Sequence, residues 1–170
     1  ITNHKLKFHR PHYDVMPYKP NGNSTEWVID MIITDNEASS VQKALDHLGH
    51  DVLITRQTHW EISTVGDPDP ILKQINTSGE LYNSNKEFIS EIINDKQVAS
   101  FLVRQKEDIK GRAKFESLTD RFEIRGITDL KCGVIWNLII NSGSFEAILN
   151  DILDTQLLFN PLSHECYRIN

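Results

Sequence analysis

The stretch that decides the fold runs from Gly133 to Asn170 and reads GVIWNLIINSGSFEAILNDILDTQLLFNPLSHECYRIN. Its first part, residues 134–140, alternates between two sets of side chains, most of them large and apolar. A period of two is typical of a strand that is buried on at least one face. The Ser-Gly-Ser turn at 142–144 follows, and its last serine is a candidate N-cap for the next element.

The second part of this stretch predicts a helix and a short strand. Apolar side chains recur from Phe145 onwards at the spacing of one helix face. Leu157–Phe159 continue that face, and Asn160-Pro161 is predicted to end the helix, because proline lacks the amide donor and its ring clashes with the preceding turn. Cys166–Ile169 is then predicted as the last strand, so the unit is strand, helix, strand.

The same periodicities divide the rest of the chain into strands and helices. Before residue 95 we predict a strand at 27–33, a helix at 38–48 ended by Gly49, a strand at 52–62, a helix that begins near Pro70, and a strand near 87–89. After it we predict a strand at 101–104, a polar loop at 107–111 and a helix at 113–122, before residues 127–130 lead into the opening stretch.

The two parts of the chain repeat each other. Trp60 and Trp136 occupy the same place in their strands, and Leu81-Tyr82-Asn83 is matched by Leu158-Phe159-Asn160. Each unit reads β-α-β-α-β. Because a unit of roughly 70 residues is small for an independent core, two units packed as a pseudo-dimer would bury each other's open sheet faces.

We therefore predict an α+β fold with an extended arm and two tandem units. The arm covers residues 1–25, and two ferredoxin-like units with antiparallel sheets cover residues 26–95 and 96–170. The arm is basic and carries His4, His9 and His12. Three readings of it stay open: a tail that is solvated or packed across the surface, a binding segment for an anion or a partner, and a metal site formed by the three histidines.

Composition excludes several classes of function. The net charge of −6 disfavours a non-specific nucleic-acid binder, which needs lysines and arginines against the phosphates. No apolar run approaches the roughly 20 residues needed to cross a bilayer, so we expect no membrane partner. The two cysteines, Cys132 and Cys166, lie far apart without metal-ligand spacing, which indicates a reduced, cytoplasmic protein.

The closing residues of the second unit resemble those of the PurS family, the small subunit of phosphoribosylformylglycinamidine synthase. The resemblance lies in Gly133–Trp136, in the Leu-Leu-Phe-Asn-Pro run at 157–161 and in the Glu-Cys-Tyr-Arg-Ile strand at 165–169. In the first unit, Val41–Gly49 resembles the family's helix before a glycine. Members of that family normally have one unit per chain and dimerise, whereas this chain carries two.

The resemblance implies a tandem PurS-like subunit in de novo purine biosynthesis. Such a subunit would have no catalytic residues of its own and no cofactor or metal. It would bridge the glutaminase and synthetase subunits of the ATP-dependent amidotransferase and assist ammonia transfer between them. The homo-oligomeric state of such a protein is left open.

The residues themselves supply no catalytic constellation. Cys166 and His164 share a strand face, but a cysteine in an apolar strand is typical of a core. The candidate partner-interface residues are Trp60, Trp136, Leu158, Asn160 and Pro161, with a core role as the alternative for the two tryptophans. Two other functions stay open: a small-ligand regulatory sensor of the ACT-like kind, whose paired units bind the ligand at their interface, and an enzyme whose site has no motif.

Overall fold

A computed structural model of the chain describes residues 15–141 and 143–169. In chain order the elements are β1 (Met16–Pro17), β2 (Ser24–Met31), α1 (Asn36–His47), β3 (Val52–Thr64), α2 (Pro68–Ser78), β4 (Glu87–Ser90), β5 (Val98–Gln105), α3 (Ile109–Glu116), a π-helical turn (Ser117–Arg121), β6 (Ile127–Ile140), α4 (Phe145–Asp154) and β7 (His164–Arg168).

Across these residues the strands form one mixed sheet in the order β1-β7-β5-β6-β3-β2-β4. Every pairing is antiparallel except that of β1 with β7, which is parallel. The predicted α+β class is confirmed, with four α-helices packed on a seven-stranded sheet.

The elements from β2 to β4 form the first half of the fold, and those from β5 to β7 form the second half. Both halves follow the order β-α-β-α-β, and their strands pair in the same register. Trp27 lies opposite Trp60 in the first half, where Phe101 lies opposite Trp136 in the second. The outer strands correspond in the same way: Ile29 pairs with Ile89, and Val103 pairs with Cys166.

The halves join edge to edge through β3 and β6. These two long strands pair from Val52 opposite Ile140 to Ile62 opposite Leu130, with Thr58 and Val134 at the centre. The sheet therefore continues without a break from one half into the other.

All four helices cover one face of the sheet. Leu45 of α1 and Ile152 of α4 pack in one apolar cluster, and Ile71 of α2 packs with Leu118 of the π-helical turn in another. Ile54 and Trp60 of β3 belong to these two clusters and point to the same side, because they are an even number of residues apart. Each cluster thus combines one helix from each half, which ties the halves together.

The opposite face of the sheet buries polar side chains. Gln57, His59 and Glu61 alternate along β3 on this side, and each is at most 3% exposed. Gly133 of β6 lies opposite His59, and a Cβ there would stand 2.7 Å from Leu102 Cδ1, so a larger residue would require the buried Leu102 side chain to move. Beside these polar groups lies a small apolar cluster of Val28, Leu102 and Ile135.

Residues 15–23, which we name the strap, run across this polar face. The strap begins at β1, at the outer edge of the sheet beside β7, and ends at β2, on the far side of β3. Its last residues form a turn, in which the amide of Ser24 donates to the carbonyl of Asn21 at 3.1 Å. The strap therefore connects the two sides of the sheet.

Several boundaries differ from the sequence predictions. The predicted continuation of the closing helix through Leu157–Phe159 is wrong: α4 ends at Asp154, because Gln156 has a φ of 57°, which is left-handed. The polar loop predicted at 107–111 is shorter, since Asp108 caps α3 through the amide of Gly111. The strand β6 begins at Ile127 rather than near Gly133.

The arm predicted for residues 1–25 falls partly outside the described residues. His4, His9 and His12 lie there, so the metal and anion readings of the arm remain predictions. Its described part, the strap, lies packed across the domain surface, and β2 begins at Ser24.

Candidate functional site

A cleft opens on the helix-covered face where the two halves meet. It has a volume of about 580 Å³. Its floor is formed by the central strands, including Thr58 and Val134, and one side wall by the segment 156–160 after α4. The first turns of α1 and α3 supply the remaining wall, so both halves contribute to one cavity.

The charged groups of the cleft are mostly paired. Arg56 donates through Nε and Nη2 to both carboxylate oxygens of Asp35, at 2.8 and 3.0 Å, and also contacts Glu37. Burial alone would raise the pKa of Asp35, but these bonds outweigh it and lower that pKa. Asp108 accepts from the backbone amides of Gly111 and Cys132 at 2.8 and 2.9 Å.

Lys110 is the exception among these groups. It lies in the first turn of α3, is exposed and lines the cleft. Its ammonium is 5.6 Å from the centre of the Trp60 ring, and it forms no ion pair with any residue of the described ranges. The cleft therefore contains one cation whose charge is not balanced by a bound carboxylate.

The corresponding place between α3 and the segment after α2 is closed. Lys114 and Val41 occupy equivalent positions in their helices. Lys114 follows Asp108, the N-cap of α3, by the same number of residues as Val41 follows Asp35, the N-cap of α1. Lys114 Nζ binds Glu80 Oε2 at 3.3 Å and closes the gap between α3 and the segment after α2. Between α1 and the segment after α4 the equivalent positions are Val41 and Leu157, which cannot pair and which both line the open cleft.

A second polar centre lies under the strap on the other face. Tyr18 donates its hydroxyl to Glu61 Oε2 at 2.9 Å, and Asn21 donates its amide to Oε1 of the same carboxylate at 2.9 Å. Arg104 Nη2 binds Glu61 at 2.7 Å, and its guanidinium lies 5.3 Å from the centre of the Tyr18 ring. Glu61 therefore holds the strap and β5 together.

The electrostatics of this centre favour an ionised Glu61. Burial alone would raise the pKa of Glu61, but the Asn21 amide, Arg104 and Tyr18 outweigh it and lower that pKa to about 2. Burial and the bond to Glu61 raise the pKa of Tyr18, so its hydroxyl remains a donor. The carboxylate is a buried charge, and it is stable because it has several donors.

A pair formed by a histidine and a glutamate adjoins this centre. His59 is fully buried, and its Nε2 lies 2.8 Å from Oε1 of Glu26, which is the residue opposite Glu61 on β2. The bond to His59 lowers the pKa of Glu26. Within the described ranges, His59 Nδ1 and Arg104 Nε are buried without a hydrogen-bond partner.

The predicted interface residues divide into buried and exposed groups. Trp60, Trp136 and Leu158 are at most 6% exposed, and Trp60 Nε1 donates to the carbonyl of Leu81 at 3.1 Å. The core role predicted as an alternative for the two tryptophans fits this burial, and Trp136 also lines the cleft. Asn160 is exposed and Pro161 half-buried in the turn before β7. Their role at a partner interface remains a prediction.

The two cysteines and the possible metal ligands of the described residues were the remaining candidates for chemistry. Burial raises the pKa of Cys166 to about 12 and that of Cys132 to about 11, so neither thiol ionises near neutral pH. No cluster of three or more histidine, cysteine or acidic side chains within 15–141 and 143–169 could hold a metal ion. In the same ranges no helix has the length and apolarity that a membrane crossing needs.

Sequence reasoning missed both polar centres. Tyr18, Glu61 and Arg104 are far apart in the chain and meet only because the sheet brings β3 and β5 under the strap. The one available signal was a run of polar residues at alternate positions of β3, which predicts an exposed face as readily as a buried one.

Comparison with known proteins gives no relative from which a function could be inferred, so the functional argument depends on these two centres. No protein-family model matches the chain, and no curated protein matches it either.

Proposed function

We propose that this chain is a non-catalytic PurS-like subunit of phosphoribosylformylglycinamidine synthase in de novo purine biosynthesis. In this role two related units in one chain replace a dimer, bridge the glutaminase and synthetase subunits, and assist ammonia transfer. A cytoplasmic location belongs to the same proposal.

The observation that supports this proposal most is the correspondence of the two halves. Each has five elements in the same order, the tryptophan pairs stand in the same register, and the central strands join antiparallel, as two subunits related by a two-fold axis would. The turns before the outer strands correspond as well, since the carbonyl of Asn83 accepts from Glu87 and that of Asn160 from His164. Tandem duplication explains these matches together.

The reactivity of the described residues also supports a scaffold. The cysteines are held as thiols, and the strongest polar centre is sealed beneath the strap with its carboxylate used for structure. A scaffold subunit requires a rigid body rather than an exposed nucleophile.

Reconstitution tests the proposal. The purified chain is mixed with the glutaminase and synthetase subunits of the same organism, and the mixture is passed over a size-exclusion column. We expect one complex that contains all three and uses glutamine as the nitrogen source. Glutamine-dependent synthesis at the full rate without this chain would reject the proposal.

One observation favours a second function, a small-ligand sensor. The cleft lies between the two halves, where a ligand would contact both and would stabilise their junction. If the chain forms no complex with the two subunits but melts at a higher temperature with a metabolite, this second function replaces the first.

A further inference from the structure

We propose that the cleft binds one small ligand per chain, and that this ligand carries a single negatively charged group on a flat or apolar body. The proposal rests on the sensor function for its biological meaning, but the binding itself is tested independently of that function.

The size of the cleft suits a small molecule. Pockets for such ligands usually have volumes of about 300–1,000 Å³, and this cavity of about 580 Å³ falls within that range. Its floor is made of paired strands and its walls of capped helices, so the cavity is formed before a ligand arrives. Little ordering would then oppose binding.

The charge of the ligand follows from Lys110. Arg56 is neutralised by Asp35 and Glu37, and both oxygens of Asp108 are occupied by backbone amides. Among the lysines and arginines of the described ranges that line the cleft, Lys110 alone has no carboxylate partner, and a ligand that brings one anionic group supplies it. The chain as a whole is acidic, so the preference for an anion is local to this lysine.

The body of the ligand follows from the other lining groups. Val41, Val134 and Leu157 line the cavity, and the Trp136 ring, with Arg56 5.8 Å from its centre, lies beside them. An aliphatic chain or a planar ring can cover these apolar surfaces while its charged end faces Lys110.

The number of sites per chain follows from the difference between the halves. The Lys114–Glu80 ion pair closes the position that corresponds to Val41 and Leu157. A dimer of identical units would have two equal clefts, whereas this chain has one open cleft and one closed position.

The test uses two dyes that differ in one group. The dye 8-anilinonaphthalene-1-sulfonate has a flat apolar body with one sulfonate, and N-phenyl-1-naphthylamine has the same body without it. In fluorescence titrations we expect the wild-type chain to bind one molecule of the sulfonate dye, about tenfold more tightly than the neutral dye. In Lys110→Gln we expect that preference to fall to about twofold or less.

Two further variants locate the site. Val134→Phe fills the cleft and is expected to weaken binding of both dyes at least tenfold, while its melting temperature shows whether it remains folded. Lys114→Gln removes a lysine at the closed position and serves as the matched control, so its dye preference should equal that of the wild type. In two-dimensional NMR the indole signal of Trp136 should shift on titration, and that of Trp27, which does not line the cleft, should not.

Several outcomes would overturn the proposal. These are an unchanged preference in Lys110→Gln, an equal loss in Lys114→Gln, two molecules bound per chain, or an indole signal of Trp136 that does not shift. Specific dye binding would support the cleft whether or not the chain also forms a complex with the glutaminase and synthetase, so the two proposals fail separately. Absence of binding would reject the cleft and leave the scaffold function standing.

Discussion

The two faces of the sheet are built from the same strands, but one is buried by apolar packing and the other by polar contacts. On the helix-covered face, Trp60 and Ile62 are buried among apolar side chains from both halves. On the strapped face, their neighbours His59 and Glu61 are just as buried, but among charges and hydrogen bonds. The comparison shows that alternate residues of one strand can be held by two different kinds of interaction.

These two kinds of interaction differ in what they demand of the rest of the molecule. Apolar burial tolerates small rearrangements, because it depends mainly on the area removed from water. A buried carboxylate tolerates little, because the loss of one partner leaves a charge without compensation. The helix-covered face should therefore dominate the total stability, while the strapped face should dominate its dependence on pH and on single polar groups.

The largest effect is expected for Trp60→Ala. The substitution empties a site in the apolar cluster and removes the hydrogen bond to the Leu81 carbonyl. We expect the free energy of unfolding to fall by about 3–5 kcal/mol in a urea titration. The exposed Ile109→Ala is the control and should change it by less than about 0.5 kcal/mol. A loss below about 1 kcal/mol in Trp60→Ala would contradict the assignment of this face as the main core.

The next effect is on acid stability. Since the pKa of Glu61 is about 2 in the folded chain and about 4.5 when unfolded, its contribution is fully present above pH 4.5 and disappears as the pH falls towards 2. The contribution is about 3 kcal/mol. Since pH 3 lies between the two pKa values, urea titrations at pH 6 and pH 3 measure the larger part of this loss, about 2 kcal/mol. The same pair of titrations on Glu61→Gln provides the reference. If both proteins lose equal stability between these pH values, Glu61 is not the group responsible.

A smaller effect is expected at neutral pH for Glu61→Gln itself. The amide keeps an acceptor oxygen but leaves Arg104, which is 11% exposed, without its counter-charge. We expect a loss of about 2 kcal/mol, measured by urea titration at pH 7. The exposed Glu165→Gln is the matched control. A stabilised Glu61→Gln would show that the charge at this position is not needed to hold the strap.

The smallest effect is expected for Tyr18→Phe. This change removes one hydrogen bond to Glu61 and keeps the ring that contacts Arg104 and His59. We expect a loss of about 1 kcal/mol and faster amide hydrogen exchange within the strap, with the helix-covered face unaffected. Hydrogen-deuterium exchange of the peptide that contains the strap, followed by mass spectrometry, measures it. Equal exchange rates in both proteins would mean that the hydroxyl does not anchor the strap.

Much of the fold could be predicted from the sequence, because the apolar periods are strong where the helices pack. The alternation around Trp136 and the spacing after Phe145 identify β6 and α4 directly. The end of α4 could not be predicted, since Leu157 keeps the apolar spacing while Gln156 turns left-handed. The left-handed conformation is a property of the backbone, and the apolar spacing of the side chains does not indicate it.

The cleft and the polar centre under the strap were harder to predict from the sequence than the fold. The cleft depends on which of two matching positions is closed, and one ion pair, Lys114 with Glu80, decides this. The polar centre depends on contacts between residues of three distant segments. Such contacts follow from the order of strands in the sheet, and no local pattern encodes that order.

The strap also has a consequence for the time at which the molecule becomes complete. Met16 pairs with Tyr167, so a segment that leaves the ribosome early has no strand to join until nearly all the described chain has been made. At usual rates of translation this wait is on the order of ten seconds. During that interval Glu61 also lacks Arg104, which belongs to the later strand β5, so its carboxylate remains hydrated until the second half has been made.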